Sequence, residues 1–241
     1  MPPPPRFLLL QVRNPDDPMK PQEVGCFARA LRCTADQLEP RDLITAPPSP
    51  RELDRADAVL LGGSGDYSVA EGGTWLEAAL DAMRWLHDHA KPTFASCWGF
   101  QAFARALGGH VVTDMSRAEL GTIELTLTPA GRSDPVFSIL PPRFCGHAGH
   151  QDVVDRLPPD AVLLASSSRV AHQAFTFEDK PIYCTQFHPE LDRASFLERL
   201  THYPEYVVRI AGMTIEEFAP QCREAADAGQ LLPAFCRAVF S

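Results

Sequence analysis

Residues 95–101, Ala-Ser-Cys-Trp-Gly-Phe-Gln, constrain this chain more than any other stretch. A brief apolar run at 92–96 leads into them, and a helical run at 100–107 leaves them and stops at Gly108-Gly109. A strand therefore feeds directly into a helix, with Cys97 at the corner. Ala95 and Gly99 stand two residues to either side, the spacing a sharp nucleophile turn requires because larger flanking side chains would collide. The turn lifts the sulfur beyond the end of a sheet. The helix N-terminus beside it favours the thiolate, which is the reactive form. A buried, inert cysteine at a strand end is the competing reading. It is preferred for the other six cysteines: 26, 33, 145, 184, 222 and 236.

Such a corner belongs in an α/β fold. Residues 7–12 and 58–61 read as strands buried on both faces, the second stopped by Gly62-Gly63. Val24, Phe27, Ala28 and Leu31 recur at helical spacing, and residues 75–89 form an amphipathic helical pattern. This βαβα order predicts a mostly parallel central sheet with helices on both faces. Ligands then collect beyond the carboxyl ends of the strands, after residues 61 and 96. The second half is richer in strands, at 122–128, 161–165, 172–177 and 182–187. From residue 194 the pattern turns helical, through Phe196, Leu200, Ile215, Phe218 and residues 231–240. The expected division is one domain over residues 1–200 and a helical extension over 201–241 that packs against it.

A length of 241 residues with 45% apolar side chains suits one α/β domain with a real core. The net charge of -9 and the lack of any Lys/Arg run argue against nucleic acid or an anionic membrane as partner. No stretch reaches the length of a membrane span, and the proline run at residues 1–6 reads as a loose, extended end rather than a signal peptide. Seven cysteines at irregular spacing, without C-x-x-C, suggest reduced thiols and a cytoplasmic protein rather than a disulfide framework or zinc site. Cys145, His147 and His150 lack a well-spaced fourth ligand.

A thiol nucleophile needs a base, and the base benefits from a carboxylate that fixes its tautomer. Of eight histidines, His188 alone follows a strong strand pattern directly and has a carboxylate, Glu190, two residues on. The segment His188-Pro189-Glu190 is expected to be extended, with Pro189 stiffening it. A strand-end histidine beside a surface glutamate is the plainer alternative. An oxyanion needs backbone N–H donors. Trp98, following the nucleophile, is one candidate, and Gly63 in the Gly-rich turn at 62–65 is the other.

The small-x-Cys-x-Gly-x-Gln corner, the upstream Gly-Gly pair and Gln186-Phe187-His188-Pro189-Glu190 together resemble the class I glutamine amidotransferases, the triad-type glutaminase domains of the kind found in GMP synthase. The resemblance covers roughly residues 6–200. It implies a flavodoxin-like class I amidotransferase fold, a Cys97–His188–Glu190 triad, and no metal or organic cofactor. It further implies that Gln101 helps hold the substrate glutamine, and that Gly149 and His150, in Gly149-His150-Gln151-Asp152, bind its amino-acid end. The chain departs from the pattern with Ala95 for glycine, Ser64 for proline and Gly149 for serine.

The resemblance implies hydrolysis of the glutamine side-chain amide to glutamate and ammonia through a γ-glutamyl thioester on Cys97. No phosphate-binding loop or synthetase region is recognisable, so either a separate acceptor subunit takes the ammonia or the protein is a free-standing hydrolase. Two alternatives remain: a γ-glutamyl peptide hydrolase of the same superfamily, and a non-catalytic regulatory subunit on the same scaffold.

Overall fold

The computed structural model describes residues 3–240. Met1, Pro2 and Ser241, which belong to the expected extended start and to the C-terminal extension, lie outside the described residues. The main sheet has nine strands: β1 (Phe7–Val12), β2 (Leu38–Asp42), β3 (Ala58–Ser64), β4 (Thr93–Ser96), β6 (Glu119–Leu127), β7 (Arg143–His150), β9 (Ala161–Ser167), β10 (Ala174–Phe177) and β11 (Lys180–Thr185). They lie in the order β2-β1-β3-β4-β11-β10-β9-β6-β7, and β5 (His110–Thr113) pairs separately with β8 (Asp152–Arg156). The half from β2 to β11 is parallel, and the rest is an antiparallel extension. The parallel half carries the nucleophile corner, as the βαβα order requires.

Strand alternation sorts the core into two layers. Leu8, Leu10, Val59, Leu61 and Ala95 face the helices α3 (Leu76–Asp88) and α4 (Trp98–Ala106). Phe7, Leu9, Leu60 and Phe94 face α1 (Met19–Leu31) and the C-terminal helix α9 (Leu231–Phe240). Between them in sequence come α2 (Pro50–Arg55), α5 (Pro129–Ser133), α6 (Arg193–His202), α7 (Pro204–Tyr206) and α8 (Ile215–Phe218).

The C-terminal segment is joined to this core. Phe235 is fully buried, edge-on to Phe94 at 5.6 Å and to Tyr183 at 6.0 Å. Phe235→Ala should therefore cost about 3–5 kcal/mol. In a chain of this size that lowers the melting temperature by roughly 6–20 °C, and a calorimetric scan of the variant checks it. An unchanged melting temperature would mean that α9 does not belong to the cooperative core.

Two expectations change, and one strand was not expected. The strand at residue 58 does not stop at Gly62-Gly63 but runs to Ser64. Its register against β1 steps from Leu10↔Leu61 to Val12↔Ser64, so two glycines oppose one residue in a bulge. Here glycine serves close approach rather than a turn: a Cβ on Gly62 would lie 2.1 Å from Glu23 Oε1. The helix after the corner begins at Trp98, two residues earlier than its apolar pattern suggested. Finally, β7 has no strand signature in its sequence, Arg-Phe-Cys-Gly-His-Ala-Gly-His. Continuous pairing with β6, from Thr126↔Arg143 to Glu119↔His150, overrides its weak propensity.

Candidate active site

Cys97 sits between β4 and α4 with φ 51° and ψ -101°, a conformation that L-residues rarely adopt. Its backbone N–H donates to Thr185 O at 2.7 Å, and its carbonyl accepts from Gln101 N at 3.1 Å. Sheet and helix thus hold the corner from both sides. The requirement for small flanks is met in space: a Cβ on Gly99 would lie 2.6 Å from Leu61 Cβ and 3.1 Å from Ala95 Cβ. Alanine at 95 is accommodated because its neighbour at 99 has no side chain. Strain of this kind costs about 1–3 kcal/mol and persists where the surroundings over-determine it.

The fold brings His188 and Glu190 to the same corner. β11 runs parallel to β4, with Thr185 beside Ser96, so the residues after both strands emerge together. The segment after His188 is a turn rather than extended: Leu191 N–H donates to His188 O at 3.4 Å, with Pro189 at the second position, where its fixed φ fits. The turn folds Glu190 back so that Oε1 lies 2.7 Å from His188 Nδ1. His188 N–H also donates to His147 O at 2.8 Å. With Nδ1 held by the carboxylate, Nε2 is left for the thiol, and both residues border Gly63, where an added Cβ would lie 3.5 Å from His188 Nε2 and 3.6 Å from Cys97 Cβ.

All three side chains are buried. Burial alone would lower the His188 pKa, but the charges of Glu190 and Cys97 raise it to about 9. Burial would raise the Glu190 pKa, and the charges of His188 and Arg199 bring it below the usual value. Arg199, on α6, approaches Glu190 Oε1 at 3.6 Å and Glu23 Oε1 at 3.7 Å. It was missed in the sequence, although an arginine beside the buried Phe196 and Leu200 on one helix is a readable signal.

The raised His188 pKa has a consequence for stability. Between about pH 6.5 and 9 the folded chain keeps a proton that the unfolded chain releases. The His188 contribution is fully present below the lower value and is lost as pH rises through the upper one. Urea midpoints should fall across this window in the wild type and show a smaller fall in His188→Gln. Equal slopes would contradict the assignment.

Gly63 and Trp98 flank the thiol. A Cβ on Gly63 would lie 3.6 Å from Cys97 Cβ and 2.8 Å from His188 Cε1. Gly63 is at the β3 bulge, and the β3–β4 ladder ends at Leu61↔Ala95, before Gly63. Trp98 opens α4, where an N–H has no helical carbonyl to bond.

A cleft of about 240 Å³ opens beside Cys97 and is also lined by Trp98, Gln101, Gly149 and His150. Gln101 spends its amide nitrogen on Asp152 O at 3.0 Å and Gln186 Oε1 at 3.1 Å. His150 is held by Asp152 O at 3.1 Å and Glu119 Oε2 at 3.2 Å. Glu119 had no sequence signal. Asp152 accepts from Ser68 and Thr113 hydroxyls, both at 2.6 Å, and so ties the cleft walls together. Ser64, the departure from proline, uses its hydroxyl to accept from Tyr67 N at 2.9 Å. A Cβ on Gly149 would meet nothing nearer than Leu120 Cδ1 at 3.5 Å, so sterics do not require glycine there.

Strand alternation in β7 puts Cys145 and His147 on the face opposite His150. His147 is fully enclosed and stacks on Phe196 at 4.8 Å, its pKa lowered to about 4 by burial and then by the charge of His188. Among the described residues no group of three or more His, Cys, Asp or Glu could hold a metal ion, and no helix is long and apolar enough to cross a membrane.

A family model for class-I glutamine amidotransferases matches residues 23–199, and the chain belongs to that family. Among curated proteins it is similar to a subunit of the glutamine-hydrolyzing GMP synthase of Methanothermobacter thermautotrophicus, 35% identical over 51% of this chain and 64% of that one. The same GMP synthase subunit from Sulfolobus acidocaldarius is 34% identical over 61% of this chain and 74% of that one. The aligned part thus spans just under two thirds to about three quarters of these relatives' length. A glutamine amidotransferase from Thermotoga maritima shares the fold with a TM-score of 0.75, at 21% identity and 98% coverage of both chains.

Proposed function

We propose that the protein hydrolyses the side-chain amide of glutamine through a γ-glutamyl thioester on Cys97. The observation that carries this reading is the strained Cys97 corner beside His188, itself 2.7 Å from Glu190.

The Cys97 thiolate attacks the γ-carbonyl carbon, forming a C–S bond. The amides of Gly63 and Trp98 stabilise the developing oxyanion. The tetrahedral adduct collapses by breaking the C–N bond, and protonated His188 gives its proton to the departing nitrogen, which leaves as ammonia. Water then adds to the thioester while His188 takes its proton, and the C–S bond breaks to release glutamate and restore the Cys97 thiolate beside protonated His188. Glu190 keeps the imidazole in one orientation. Gln101, Gly149 and His150 contact the substrate along the cleft. Residues 1–200 carry this chemistry, and Glu205, Tyr206 and Arg209 of the extension over 201–241 add to the cleft wall.

A separate synthetase subunit is the proposed acceptor of the ammonia, on the similarity to relatives named as single subunits of GMP synthase. A cytoplasmic setting fits this reading. A second reading, hydrolysis of another γ-glutamyl amide, is favoured by the open space at Gly149. Glutamate release from free glutamine, measured beside a panel of γ-glutamyl dipeptides, tests both. Glutamine preferred over every dipeptide supports the amidotransferase. A dipeptide turned over faster than glutamine replaces it with the hydrolase.

A further inference from the structure

The family model ends at residue 199, yet the cleft beside Cys97 is also lined by Glu205, Tyr206 and Arg209. These residues come from α7 and the π-helical turn Val207–Ala211, which closes at Gly212 with φ 69°. Tyr206 is anchored over the cleft: its hydroxyl donates to Gly65 O at 3.0 Å, and the neighbouring Val207 is fully buried. The Arg209 guanidinium carbon lies 5.2 Å from the centre of the Tyr206 ring, a cation–π contact that restrains its position.

The charges around the cleft are unequal. Among its described lining residues Arg209 is the one Lys or Arg, while Asp66, Glu71, Asp152 and Glu205 are acidic. Asp152 is occupied by the Ser68 and Thr113 hydroxyls, and Asp66 by Asn14 Nδ2 at 2.8 Å. Arg209 is exposed at the cleft, and its side chain forms no hydrogen bond or ion pair with a described residue.

A γ-glutamyl group with its carbonyl at Cys97 has its α-carbon roughly 4 Å farther out, across two methylenes. That carbon bears a carboxylate and an ammonium. The acidic rim suits the ammonium, and a single free guanidinium suits the carboxylate, which it can grip through two N–H donors. We propose that Arg209 is a specificity-determining residue that selects γ-glutamyl substrates with a free α-carboxylate. This rests on the thioester reading above and assigns the outer end of its substrate to the C-terminal segment.

Alkylation of Cys97 tests it without needing turnover or a partner. The probes are the diazoketone analogue of glutamine and its α-methyl ester, and the readout is the rate of adduct formation at Cys97 by peptide mass spectrometry. Wild type should react about 10- to 100-fold faster with the free acid, the range for a charge-assisted contact. Arg209→Met should lose that preference by slowing with the acid alone, and Arg209→Lys should keep part of it. Because Arg209 is exposed, the melting temperature should be unchanged. An equal preference in wild type and Arg209→Met overturns the inference and leaves the thiol chemistry standing. Failure of both probes to label Cys97 in wild type overturns the thiol chemistry and the inference with it.

Discussion

Cys97→Ala should abolish glutamate release from glutamine while leaving the fold intact. In triad hydrolases, loss of the nucleophile lowers turnover on the order of a millionfold. The substitution removes one sulfur from a side chain that is 7% exposed, and the backbone corner keeps its bonds to Thr185 and Gln101. Cys97→Gly should be as inactive but more stable than Cys97→Ala by about 1 kcal/mol, because glycine adopts a φ of 51° without strain. A glycine variant more stable than the alanine one, with both inactive, is the signature of backbone strain kept for the sake of the thiol. Steady-state glutamate assays and melting curves of the two variants check both halves. An alanine variant less stable than wild type by several kcal/mol would show that the thiol serves packing instead.

Gly63→Ala is the second large effect, and it involves no functional side chain. The new Cβ would sit 2.8 Å from His188 Cε1 and 3.5 Å from Nε2. The imidazole cannot retreat easily, because Glu190 holds Nδ1 at 2.7 Å and the ring is buried. Either the ring leaves the thiol or the β3 bulge shifts its amide away from the proposed oxyanion site. Each route removes one transition-state contact, so kcat should fall roughly 100- to 1000-fold with little change in KM. Gly25→Ala is the matched control: on α1, with nothing within 4 Å of its Cβ, it should keep full activity and gain up to about 1 kcal/mol in stability. Wild-type kcat in Gly63→Ala would remove Gly63 from the oxyanion site.

The parts of this site legible in the sequence are those fixed by local rules. The Cys97 corner was readable because small flanks and a strand-to-helix change coincide within seven residues. His188 and Glu190 were readable as a pair, but not the turn that folds one carboxylate back on the ring. Pro189 is compatible with both extended and turn conformations, and tertiary contacts decide. β7 was invisible because its pairing with β6, not its composition, makes it a strand. Glu119 meets His150, and Arg209 meets the cleft, across long sequence separations that no local pattern encodes, whereas Arg199 left the trace of a charge on the buried face of its helix. The Gly62-Gly63 pair looked like a turn, because a sequence cannot tell a glycine needed for φ from one needed for close approach.

The covalent intermediate tests the account most directly. Protein mixed with glutamine, quenched in acid within a turnover and digested should yield the Cys97 peptide carrying one γ-glutamyl group. The adduct should be labile to hydroxylamine, as a thioester is, and absent from Cys97→Ala. Glutamate accumulating with no adduct on Cys97, or undiminished in Cys97→Ala, would contradict the account.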